Sequence, residues 1–262
     1  MQTHDDRIRD QFTKQAVPFT RLKGHLDSVA KLIELTAVTS TDTVLDVACG
    51  PGLVACEFAK TAKQVSGIDL TDKMIDEARK RQAEMDLSNL DWQVGSATQL
   101  PFSDGEFSVV ISRYTFHHFT DPDSVLAEMI RVCRPGGRVL VADPVLPEEC
   151  VDAFNRMERL RDPSHTQALS VEQFDRMFLE SGLIEIQRAG YDVEMELERQ
   201  IAASFPEPGD DERLRQIFRD DIASQGLGIG TRQIGDEIHF RYPISIYVGT
   251  KEGGRGGDSA AE

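Results

Sequence analysis

Basic residues are scarce beside acidic ones in this chain. Its 29 lysines and arginines stand against 45 aspartates and glutamates, a formal net charge of -16. Phosphate contacts supply most of the affinity of a nucleic-acid-binding surface, so this imbalance argues against a nucleic-acid partner and against docking on an anionic membrane. Cysteine is also sparse. Cys49, Cys56, Cys133 and Cys150 form no C-x-x-C pair and do not cluster with histidine, so neither a metal site nor a disulfide framework is expected. No apolar run approaches the roughly 18 residues needed to span a bilayer. The opening residues Met1–Arg7 lack an apolar h-region, and the expectation is a cytoplasmic protein with no membrane partner.

What is present is enough for one sizeable core: 262 residues, 40% of them hydrophobic. The chain is organised around Thr43-Val-Leu-Asp-Val-Ala-Cys-Gly-Pro-Gly-Leu-Val-Ala55. An apolar run ends in a Gly-x-Gly turn at Gly50 and Gly52, and apolar residues at helical spacing resume at Leu53, Val54 and Phe58. Strand, tight loop and helix follow from that pattern. Glycines let the backbone turn sharply and let a ligand approach without meeting a Cβ, so a nucleotide-like ligand is expected there. A second apolar strand, Val65 to Ile68, ends in Asp69, placed to accept from two ribose hydroxyls. The run Gly50 to Ala55 also satisfies the relaxed dinucleotide pattern G-x-G-x-x-A, which leaves the ligand open at this point.

Alternation continues along the chain. Thr71 is expected to cap a helix through Met74, Ile75 and Ala78, Leu90 to Val94 to form a third strand, and Val109 to Ser112 a fourth. Asp121-Pro122 opens a helix that Pro135-Gly136-Gly137 stops, Arg138 to Ala142 makes a fifth strand, and Ser170 to Gln173 reads as a capping box. Leu183 to Met195 and His239 to Thr250 then read as two strands, the second alternating as antiparallel strands do. Ahead of the sheet, Asp10 to Leu35 reads as two amphipathic helical pieces broken near Pro18, with Leu22 and Leu26 on the second.

The runs Val44 to Gly52, Gly67 to Met74, Gly95 to Phe102, Phe107 to Phe119 and Arg134 to Gly137, in that order, resemble class I S-adenosylmethionine-dependent methyltransferases. Within that superfamily the chain looks most like the branch that holds the ubiquinone and menaquinone biosynthesis C-methyltransferases. The resemblance runs from about Asp10 to Lys251. It implies a doubly wound, seven-stranded, mostly parallel α/β sheet of Rossmann-like type, with an antiparallel terminal strand inserted between the fifth and sixth. It implies a helical cap over 1–36 ahead of a binding domain over 37–251; the length of the excursion at about 196–236 reads as a lid-like insert, and the glycine- and charge-rich 252–262 as a disordered tail. Phe12 and Phe19 are candidates to cover the ligand, or to glue the cap onto the core.

The implied cofactor is S-adenosyl-L-methionine and the implied partner a small-molecule acceptor. Asp46, Ala48, Cys49, Gly50 and Gly52 would wrap the methionine portion, Asp69 would take the ribose, and Leu70 and Met74 would meet the adenine. Where the family commonly has an acid for the adenine amino group, this chain has Ser96, which leaves that contact to Ala97 and the backbone. Arg113 matches a position near the methionine end. His117 and His118 are candidate general bases, or pack and hydrogen-bond structurally. Arg156, Arg159 and Arg161 read as a solvated helix end in preference to an anion site, and Tyr114, Tyr191 and His165 are candidates for orienting a substrate. Two rivals stay open: a nicotinamide-dependent oxidoreductase on the same loop, and a non-catalytic cofactor-binding regulator.

Overall fold

The computed structural model describes residues 3–19 and 28–253. The side chain of Phe19, the helical positions Leu22 and Leu26, and the tail from 254 onward lie outside the described residues. The strands are β1 (Thr43–Val47), β2 (Gln64–Asp69), β3 (Leu90–Val94), β4 (Phe107–Arg113), β5 (Cys133–Leu146), β6 (Leu169–Ser170), β7 (Leu183–Glu196), β8 (Arg232–Ile234) and β9 (Glu237–Lys251). Seven of them form the main path, in the order β3-β2-β1-β4-β5-β9-β7, and the short β6 and β8 pair off it with β5 and β9. β1 to β5 pair in parallel, and β9 lies antiparallel between β5 and β7. The doubly wound α/β sheet with an antiparallel terminal strand is therefore the fold.

Side-chain alternation explains how each strand serves two cores. Val44, Val109, Ile111, Leu140, Ala142, Ile244, Ile246 and Val248 point into one buried cluster, and Leu45, Val47, Val110, Val139, Val141 and Tyr247 into another. Helices α2 (Val29–Thr36), α3 (Leu53–Ala59), α6 (Glu148–Arg161), α8 (Leu197–Ser204) and α9 (Asp210–Ser224) contribute to the first cluster. Helices α5 (Pro122–Val132) and α7 (Val171–Glu180) contribute to the second, and α4 (Asp72–Glu84) packs against β2 and β3. α1 (His4–Phe19) lies ahead of the sheet and packs on α4 and α8. Among the described residues, no helix is long and apolar enough to cross a membrane.

Local chemistry sets the helix ends. Asp121 Oδ1 accepts from Ser124 N–H at 3.1 Å ahead of Pro122, and Ser170 and Gln173 close a reciprocal capping box before α7. Thr71 departs from the sequence expectation, since its side chain makes no cap bond to α4. Its backbone N–H instead donates to Asp69 Oδ1 at 2.9 Å, so the acid at the tip of β2 organises the turn. β5 is also longer than the expected Arg138–Ala142. It starts directly after α5 and takes up the Pro-Gly-Gly stretch through a register shift between Phe107 and Val109 of β4.

One aromatic ring fixes how closely these elements approach. A Cβ on Gly67 of β2 would stand 2.5 Å from the Trp92 ring of β3, and one on Gly52 would stand 2.7 Å from the same ring and 3.0 Å from Ala78 Cβ of α4. Gly67→Ala is therefore expected to lower the unfolding free energy by about 1–3 kcal/mol. In a Trp92→Leu background the same substitution is expected to cost clearly less, because the tightest contact is gone and the 3.0 Å approach to Cys49 Sγ is left. Urea titration of the four variants in a double-mutant cycle decides it, and equal losses in both backgrounds would contradict the packing argument.

Candidate functional site

The crevice forms where the strand order reverses. β1 is flanked by β2 and β4, so the chain leaves their carboxyl ends in opposite directions and opens a space between them. Two buried acids shape the loop that lines it. Asp46 Oδ2, inside β1, accepts from Ala55 N–H of α3 at 3.0 Å. Asp69 Oδ2, at the end of β2, accepts from Gly50 N–H at 2.9 Å, while Cys49 N–H donates to the Ile68 carbonyl at 3.0 Å. Ala48 and Gly50 adopt positive φ, +55° and +51°, to make the turn. Nothing stands within 4 Å of where a Cβ on Gly50 would lie.

This first cavity is lined by Asp46, Ala48, Cys49, Gly50, Asp69, Leu70, Met74, Ser96, Ala97 and Arg113, together with His4, Ile8 and Phe12 of α1 and Thr115 and His118. Gly52 does not line it. Its missing Cβ serves the approach of α3 to Trp92 and Ala78. The Ser96 hydroxyl pairs with Thr98 Oγ1 at 2.8 Å. Burial raises the carboxyl of Asp69 above its ordinary range, and it raises Asp46 to about 7 against the pull of Arg113. Burial likewise lifts the Cys49 thiol well above its usual value, which favours the protonated, packed sulfur.

A second cavity adjoins the first and shares Phe12, Tyr114 and His118 with it. Its other walls come from β5, α6, β7, α8 and β9, among them Phe154, Glu158, Arg161, Gln200 and Tyr242, and from His117 after β4 and His165 after α6. His117 donates from its backbone N–H to Asp143 Oδ2 at 2.9 Å, and its Nδ1 lies 3.1 Å from both carboxylate oxygens. Burial would lower the imidazole, but the Asp143 carboxylate outweighs it and holds His117 above the ordinary histidine value. His118 is the opposite case. Its Nδ1 faces the Ser164 carbonyl at 3.1 Å, and burial together with the neighbouring His117 keeps the ring neutral.

The arginines of α6 divide. Arg156 and Arg159 are exposed, as a solvated helix end requires, whereas Arg161 is only 7% exposed and reaches inward. Its guanidinium meets Glu158 Oε2 at 2.8 and 2.6 Å and donates to Ser204 Oγ at 3.0 Å, so the solvated reading fails for this residue. Tyr114, at φ +61°, hydrogen-bonds Tyr191 through the two hydroxyls at 2.7 Å, with the Arg113 guanidinium 4.6 Å above its ring. α1 roofs both cavities. His4 Nε2 donates to the His118 carbonyl at 2.7 Å, Gln15 Nε2 reaches Asp162 Oδ2 at 3.2 Å, and the Phe12 ring meets that of His118 edge-on at 4.9 Å. No cluster of groups suited to a metal ion occurs among the described residues.

A Gly-containing loop at the switch point, an acid at the tip of the second strand and a terminal antiparallel strand define the methyltransferase class of α/β fold. Comparison with known proteins agrees: residues 45–141 match the methyltransferase domain family. An uncharacterized methyltransferase of Bacillus subtilis, YcgJ, is 34% identical over 154 residues, 58% of this chain and 61% of that protein. The ubiquinone/menaquinone biosynthesis C-methyltransferase UbiE of Desulfotalea psychrophila is 41% identical over 106 residues, 40% of this chain and 42% of that protein. The chain thus spans less than two thirds of these relatives. The crystal structure of the B. subtilis YcgJ protein superimposes with a TM-score of 0.81 at 25% identity, covering 88% of this chain and all of that one.

Asp46 gives the site a pH signature. Its folded-state value of about 7 lies above the ordinary 3.8, so the folded chain holds the proton more tightly than the unfolded chain. The stability contributed this way is fully present below 3.8 and is lost as pH rises through about 7. Asp46→Asn is expected to gain on the wild type across that window, by an amount on the order of a few kcal/mol. Denaturant titrations of ligand-free protein over the same pH range check it, and a pH-independent difference would contradict the assignment.

Proposed function

We propose that this chain transfers a methyl group from S-adenosyl-L-methionine, held in the first cavity, to a small molecule held in the second. The observation that carries the reading is the meeting of the two cavities at Phe12, Tyr114 and His118. The first cavity suits the cofactor. Asp69 accepts one amide on each oxygen and keeps lone pairs for the two hydroxyls of a ribose. Gly50 gives a wall without a side chain, and Leu70, Met74 and Ala97 supply apolar surface for a base. A buried carboxylate such as Asp46 is stabilised by a cationic ligand. With the Ser96 hydroxyl engaged by Thr98, backbone groups are left to meet the adenine edge.

When bound, S-adenosylmethionine supplies an electrophilic methyl group on a sulfonium. The protein's task is then to align the acceptor and exclude water. α1, clamped by His4 and Gln15, does the second. Of the two histidines, His117 suits proton removal better. Asp143 fixes its Nδ1 hydrogen and leaves Nε2 as the basic lone pair, whereas His118 is held neutral and braces the junction through Ser164. The scarcity of paired cysteines and the free state of all four fit action in the cytoplasm.

Calorimetric titration with S-adenosylmethionine, S-adenosylhomocysteine and NAD tests the reading. Both adenosyl ligands are expected to bind and NAD is not. Asp69→Ala is expected to weaken the adenosyl ligands at least about tenfold, the cost of losing hydrogen bonds to a charged partner. Binding of NAD, or no adenosyl binding by folded protein, would move the reading to an oxidoreductase or to a fold without the cofactor.

A further inference from the structure

The second cavity combines apolar walls with a polar framework whose hydrogens can be assigned. Phe12, Phe154, Val193, Met195 and Ile244 make most of its surface apolar. Beside them, Asn155 is locked by the backbone of Ala168. Its Nδ2 donates to the Ala168 carbonyl at 3.1 Å, and its Oδ1 accepts from the Ala168 N–H at 2.7 Å. That identifies Oδ1 as the oxygen. His165 Nε2, 2.7 Å from the same Oδ1, must therefore carry a hydrogen. Nδ1 of the neutral ring is left as an acceptor lone pair.

Among the described residues this Nδ1 has no hydrogen-bond partner, although His165 is only 4% exposed. Gln200, 5% exposed and lining the same cavity, leaves its Oε1 unpartnered in the same way. Two buried acceptors without donors are costly unless an occupant satisfies them. Charge points the same way. Arg161 is matched by Glu158, whose other oxygen accepts from the Tyr242 hydroxyl at 2.8 Å. Asp162 accepts from Ser164 N–H at 2.8 Å, and Asp143 stands behind His117. An anion entering here would meet two buried carboxylates, Glu158 and Asp162, with the one arginine of the lining already engaged.

We propose that the second cavity selects a small, mainly apolar molecule by the hydrogen-bond donors it carries, an alcohol, phenol or amine and not a carboxylate or phosphate, with His165 Nδ1 and Gln200 Oε1 as the selecting groups. That the occupant is the methyl acceptor rests on the reading of the preceding subsection; the donor selectivity does not. It follows from the tautomer that Asn155 imposes and from the burial of both acceptors.

The test is ligand-observed saturation-transfer NMR on the full chain with four matched probes, benzyl alcohol, benzylamine, toluene and benzoate, each titrated with and without S-adenosylhomocysteine. Benzyl alcohol and benzylamine are expected to bind at least about tenfold more tightly than toluene and benzoate. His165→Phe is expected to bring benzyl alcohol to the level of toluene and to leave S-adenosylhomocysteine affinity unchanged. If that variant fails to fold, Gln200→Leu carries the same comparison with a reduced loss. Benzoate equal to benzyl alcohol, no binding of any probe, or a preference that survives both substitutions would overturn the proposal. Loss of S-adenosylhomocysteine binding with the probe preference intact would instead sink the methyltransferase reading and leave this one standing.

Discussion

The site depends on two carboxylates buried at the ends of adjacent strands and satisfied by main-chain amides. Asp46 ties β1 to the first turn of α3, and Asp69 ties β2 both to the loop at Gly50 and to the turn before α4. An ionised acid removed from water is tolerated only where donors converge on it, so these bonds fix the path of residues 48–52 before any ligand arrives. The raised values of both groups record the cost of that arrangement. A pocket floor held in this way has little left to organise on binding, and that is the physical content of preorganisation.

Strand order then decides what surrounds the floor. Because β9 returns antiparallel between β5 and β7, the long β7–β9 ribbon continues past the parallel core as far as Glu196 and His239. Val193, Met195, Tyr242 and Ile244 on that extension, with α6 and α8, wall the second cavity. The segment after residue 196 brings α8 and α9 back to this side, with Phe218 of α9 packed against Phe240 at 4.8 Å.

Much of the first cavity was legible in the sequence because its determinants are local. Period-two alternation, a Gly-x-Gly turn and an acid at a strand tip each act over a few residues, and they place Asp46, Gly50 and Asp69 without knowledge of the tertiary fold. The second cavity was not legible in the same way. Arg161 reads as a helix-end cation until Glu158, Ser204 and Tyr242 are seen to enclose it, and two of these arrive from far along the chain. Asp143 gives no signal of its own, since its meaning lies in the imidazole that it holds. The packing demand on Gly52 was hidden for a related reason: a glycine can be required by a distant tryptophan as well as by a ligand.

α1 closes over both cavities through contacts at opposite ends of one helix, His4 toward the first and Gln11 and Gln15 toward Ser204 and the second. A cover shared by two chambers would couple the occupancies of ligands bound in both. Any ligand whose contacts favour the seated helix raises the fraction of molecules in which the other chamber is also roofed, and the benefit is the same in both directions. The same geometry sets an order of events at the exit. For ligands bound as proposed, undocking of this single segment would open that face of both chambers at once.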